Sequence, residues 1–142
     1  MATFEELYSE MLNKSYYERV TMGKNCSEKV LYHIGRENDY DPDGLEAKAM
    51  LILMLRDVIG ADGSFDEDEY DYLCEILEVG MDYDVILESM NDLDDETRRW
   101  YKRFIAQAPQ DIRYAFVALA ILVCGSDGRI SHEEHREIKK YL

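Results

Sequence analysis

The chain has 142 residues with only two prolines and eight glycines, which fits one globular domain and excludes a linker or a disordered segment. Its 31 acidic side chains against 16 basic ones give a net charge of −15; this repels nucleic acid and anionic membranes and favours cations or basic protein surfaces as partners. Cys26, Cys74 and Cys124 are odd in number and far apart, the first residues form no secretory leader, and the longest apolar run, Ala115 to Cys124, is too short to cross a bilayer. Together these predict a cytoplasmic protein with reduced thiols and no direct membrane insertion.

Helical periodicity dominates, and no segment alternates as a strand would. Thr3-x-x-Glu6 is a capping box that starts a helix with Phe4, Leu7, Tyr8 and Met11 inward. A short second helix is predicted near Ser27 to Gly35, followed by a loop from Asn38 to Gly44 built on Asp-Pro-Asp-Gly turn chemistry. Leu45 to Ile59 is nearly all apolar and reads as a buried helix. Asp66 to Val79 places Tyr70, Leu73, Cys74 and Leu77 on one face, with Gly80 as its C-terminal cap. Asp82 to Asn91 follows, with Val85, Ile86 and Met90 inward. Asp94 to Ala108 carries Trp100, Tyr101, Phe104 and Ile105 on its apolar side and stops at Pro109. Asp111 to Cys124 is a second buried helix, and Ser131 to Leu142 is the last. The expected fold is a single all-α domain over residues 1–142, a bundle of seven or eight helices.

One motif occurs twice. Gly60-Ala61-Asp62-Gly63-Ser64-Phe65-Asp66-Glu67-Asp68-Glu69 returns as Gly125-Ser126-Asp127-Gly128-Arg129-Ile130-Ser131-His132-Glu133-Glu134. Each copy follows a buried helix and precedes an amphipathic one, which divides the chain into repeat halves of about 45–79 and 111–142. Local chemistry accounts for nearly every position. Gly60 and Gly125 suit a left-handed helix end, Asp-Gly supplies a turn, and Asp66 with Glu69, like Ser131 with Glu134, forms a capping box. Phe65 and Ile130 stand where they can staple onto Tyr70 and His135.

The same spacing is the second half of a calcium-binding EF-hand loop, with Asp62 and Asp127 at position five and Glu69 and Glu134 at position twelve. Positions one and three are Val58 and Gly60, then Val123 and Gly125, so each copy offers only part of an oxygen shell. The candidate ligands of a divalent cation such as calcium are therefore Asp62, Asp66, Glu69, Asp127 and Glu134. Asp39, Asp41 and Asp43 resemble the opening of such a loop, but Met50 stands where its bidentate acid belongs and Pro42 interrupts it, which favours an acidic turn. The copies differ in setting. From Asp57 to Thr97 there are sixteen acids and no Lys or Arg, whereas Arg129, Arg136, Lys139 and Lys140 surround the second copy. The first is the better cation candidate, against the alternative of a solvated acidic face.

Two Asp-Gly-x-apolar-x-x-x-Glu motifs, each after an apolar helix in an acidic helical chain, resemble the TerB-like (tellurite-resistance) family. The resemblance covers about Leu45 to Leu142 and rests on Asp62, Gly63, Glu69, Asp127, Gly128 and Glu134. It implies a compact bundle with an internal pseudo-twofold repeat, a bacterial stress context, metal binding and partner proteins. A related domain belongs to a membrane-anchored DnaJ-type co-chaperone, which implies the alternative of an interaction module without metal. No nucleophile elbow, phosphate-binding loop or dinucleotide fingerprint is present, so no catalytic or cofactor-binding residue is named and a non-enzymatic protein is expected. His132 and His135 share a helix without forming a zinc signature, and His33 stands alone. The eleven tyrosines, Tyr16 and Tyr17 among them, suit a protein-binding surface or half-buried packing. The oligomeric state stays open.

Overall fold

The computed structural model describes residues 3–59, 67–80, 82–85, 88, 92–125 and 130–142. Its named helices are α1 (Phe4–Leu12), α2 (Tyr16–Asn38), α3 (Leu45–Ile59), α4 (Glu67–Leu77), α5 (Asp95–Ala106), α6 (Gln110–Cys124) and α7 (His132–Lys139). Residues 83–85 and 88 are also helical, and no strand occurs among the described residues. The fold is all-α, as expected.

α6 is the organising element. Every residue from Ala115 to Cys124 is buried, and the helix packs against all six of the others, most extensively against α2. A helix apolar all round its circumference can be stable in water only when neighbours enclose it. α3 contributes Leu51, Ile52, Leu55 and Ile59 to the same core, and α4 adds Leu73, Ile76 and Leu77. None of the described helices is long and apolar enough to cross a membrane.

α2 departs most from the sequence expectation. It runs for 23 residues, not the nine near Ser27 to Gly35. Its start is a full capping box: Ser15 Oγ accepts from Glu18 N, and Ser15 N donates to Glu18 Oε1. Gly23, unfavourable inside a helix, brings α2 close to α4; a Cβ there would lie 2.7 Å from Ile76 Cδ1. The helix ends at Asp39, whose φ of 61° lets Tyr40 N donate back to Gly35 O at 3.0 Å.

Three smaller expectations are corrected. α4 is capped by Glu78 at φ 55°, with Val79 N donating to Cys74 O, and not by Gly80. Lys24 pairs with that Glu78 at 3.0 Å and ties the left-handed residue to α2. Val85 is 55% exposed, not inward; Ile86 and Met90 lie outside the described residues. Gly125 ends α6 at φ −88°, ψ 11°, in a conformation open to any L-residue and not the left-handed one; Gly60 is outside the described residues. Thr3 does cap α1, its Oγ1 accepting from Glu6 N. Asp94 caps α5 by accepting from Thr97 N at 2.7 Å.

Candidate metal centre

Three helix ends meet beside the core. The buried apolar run of α6 finishes at Cys124, which is 3% exposed. The chain re-enters helical structure at Ser131, whose Oγ accepts from Glu134 N at 3.1 Å while Ser131 N donates to Glu134 Oε1 at 3.0 Å. This expected capping box fixes the Glu134 carboxylate at the head of α7, where the residue is only 5% exposed. Glu69 occupies the first turn of α4, is half-buried, and has its Oε2 shielded from solvent. Negative charge suits both helix heads, where N–H groups point outward.

The ligand atoms of Glu69, Cys124 and Glu134 all lie within 4.8 Å of one another. Among the described residues no other three potential ligands of this kind converge so closely. Two carboxylates held together away from water repel each other, and a cation between them offsets that repulsion. The spare lone pairs of a carboxylate let Glu134 keep its capping hydrogen bond while offering its other oxygen.

Of the residues singled out by the motif, Glu69 and Glu134 are thus brought together. Asp62, Gly63, Asp66, Asp127 and Gly128 lie outside the described residues. Asp39, Asp41 and Asp43 are exposed and form no such group. Asp41 instead folds the loop on itself, its Oδ1 accepting from Asp43 N at 3.1 Å. His135 stacks on Phe4 with ring centroids 4.0 Å apart and lies 3.8 Å from Glu5, so it packs α7 on α1. Cys124, the end of the helix that the sequence marks as buried, is the member absent from the motif's candidate ligands. Its signal was positional: it immediately precedes the second motif.

Away from this site, a groove of about 340 Å³ between α1, α2 and α6 is lined by Leu7, Met11, Met22, Cys26, Ala115 and Ala118. Burial raises the pKa of the Cys26 thiol above its ordinary value. His33 packs on Phe104, and burial lowers its pKa. Trp100 is 40% exposed on α5, stacked on Phe104 and set beside exposed Arg99, Lys102 and Arg103. Comparison with known proteins finds no matching family model, no matching curated protein and no matching solved structure.

Proposed function

We propose that the chain is a non-enzymatic TerB-like domain that binds a divalent cation weakly where its two motifs meet, in a bacterial stress or tellurite-type resistance setting. One observation carries this reading. Glu69 and Glu134 hold the same position in the two motif copies, and their carboxylates converge with Cys124 within 4.8 Å. That convergence also supports reading α3–α4 and α6–α7 as halves of a pseudo-twofold repeat, because an axis relating them would pass between the two glutamates. Calorimetric titration with calcium, magnesium, manganese and zinc tests the proposal. A saturable heat that is lost in Glu69→Gln sustains it; no heat with any of the four ions at millimolar concentration removes it.

A protein-interaction module without metal is the second reading. The exposed Trp100 on its basic helix and the exposed Tyr16 and Tyr17 favour it, since aromatic and arginine side chains dominate binding hot spots. In this reading the acidic half of the chain receives basic partner surfaces in a cytoplasmic setting. Glu69→Gln and Glu134→Gln separate the readings. Under the interaction reading they alter stability and leave the response to cations unchanged.

A further inference from the structure

We infer that the ion taken by this centre is a thiolate-binding divalent cation of the zinc and cobalt class, with Cys124 Sγ as a ligand beside carboxylate oxygens of Glu69 and Glu134. The inference rests on the cation reading of the same site and names its ion. Calcium and magnesium are held by oxygen alone, calcium by about six to eight donors. A centre that places a sulfur at the meeting point of two carboxylates has the wrong donor set for either. Thiolate sulfur selects softer ions, and one sulfur with two carboxylates leaves the fourth position of a tetrahedral zinc site open to water.

Geometry agrees with that assignment. About one tetrahedral zinc, with bonds of roughly 2.0–2.3 Å, neighbouring ligand atoms stand about 3.5 Å apart. The observed ligand atoms lie within 4.8 Å of one another, close to that spacing. The three ligands sit at helix ends, and Ser131 holds Glu134 in place through its backbone N–H. Such a partner to a ligand fixes orientation in established metal centres.

Binding is balanced by one proton. The Cys124 thiol releases its proton to solvent as the sulfur–metal bond forms, and the carboxylates bind as anions. Affinity therefore rises with pH. No oxidation or reduction is involved.

Cobalt(II) chloride, added to the full chain under reducing conditions, is the probe. Cobalt bound to thiolate absorbs in the near ultraviolet by sulfur-to-metal charge transfer. The expected result is a saturable band that excess zinc removes and excess calcium does not. Cys124→Ser abolishes the band and weakens cobalt by more than roughly tenfold. The Cys26→Ala/Cys74→Ala double variant retains it. Cobalt that binds without this band, or a band that survives Cys124→Ser, overturns the thiolate assignment and leaves the cation site standing. No binding of cobalt, zinc or calcium removes both. If Cys124→Ser does not fold, X-ray absorption at the zinc edge of the wild-type protein decides: one sulfur at about 2.3 Å is expected, and a shell of oxygen and nitrogen alone overturns the assignment.

Discussion

The helix heads that follow the two motifs are alike in sequence and differently surrounded in space. At the head of α4, Glu67 and Asp68 are exposed and Glu69 is half-buried, in a stretch of chain without a single base. At the head of α7, Glu134 is buried and hydrogen-bonded through both halves of its capping box, and Arg136 and Lys139 follow in the last turn. Charge density along the chain directs attention to the first head. Burial is the deeper at the second, where Glu134 is 5% exposed. The difference teaches that acidity along a sequence marks solvated surface as readily as a ligand. A candidate centre is better recognised where a fold forces like charges together, and here it does so with one glutamate from each copy.

The largest perturbation removes the scaffold that both heads share. Leu119 is fully buried in the middle of α6, and Leu119→Ala is expected to cost about 2–5 kcal/mol in urea unfolding, since the central helix cannot collapse onto the vacancy. A loss under 1 kcal/mol would mean that α6 is not the common support. Next in size is Ser131→Ala, which deletes the side-chain cap of α7. It is expected to cost about 0.5–2 kcal/mol. Because Ser131 Oγ also sets the turn that presents Glu134, zinc affinity should fall in the same variant. Stability loss with zinc affinity unchanged would show that the second head needs no help from its cap.

How far these heads were legible follows from the range of the interactions that make them. The bounds of α3 and α6 stood out because their apolar runs are continuous. The Ser131/Glu134 box was legible because it is a three-residue signal. α2 was underestimated because Gly23 and many polar side chains dilute its apolar stripe, although Ser15-x-x-Glu18 carried the same capping signal as Ser131-x-x-Glu134. Glycine is the residue that suits a left-handed cap, yet Asp39 and Glu78 take these positions, the first by direct return of the Tyr40 N–H and the second with help from Lys24. Cys124 could not be placed among carboxylates from sequence, because the packing of α4 and α7 around the end of α6 brings them there. The exposure of Val85 was hidden for the same reason: periodicity names a face without naming what covers it.

Electrostatics give a smaller effect that separates the buried end of α3 from the exposed helix caps. Asp57, with a side chain 7% exposed, lies 3.8 Å from Arg98. Burial raises its pKa, with Arg98, Lys102 and Arg56 opposing that rise. The folded protein therefore holds this proton to higher pH than the unfolded chain does. Its contribution is fully present below the unfolded pKa and is lost as pH rises through the folded one. Asp94 and Glu18 behave oppositely. Hydrogen bonds from Thr97 and from Ser15 lower their pKa values, so what they contribute is present above the unfolded pKa and is lost as pH falls. Asp57→Asn is expected to remove the decline on the alkaline side of the Asp57 titration while leaving the acid-side loss in place. Unchanged unfolding midpoints on both sides would refute the assignment.

The smallest effect bears directly on the comparison of the two motifs. Both begin with glycine, and the sequence gives the same reason for each: a left-handed helix end. At Gly125 that reason does not hold, because the residue sits at φ −88°. Among the described residues, a Cβ there would meet nothing nearer than Ile130 Cγ1 at 3.8 Å, an ordinary contact. Gly125→Ala should therefore clash with none of the described residues while reducing the freedom of the unfolded chain. The expected outcome is a gain of about 0.4–1 kcal/mol. The site supplies a stricter criterion than stability alone. Gly125 adjoins Cys124, so an alanine that stabilises the protein and leaves zinc affinity unchanged means that this glycine serves neither the helix end nor the ligand. An alanine that stabilises the fold but weakens zinc means that the backbone beside Cys124 must move to close the shell, and glycine is kept there for the ion.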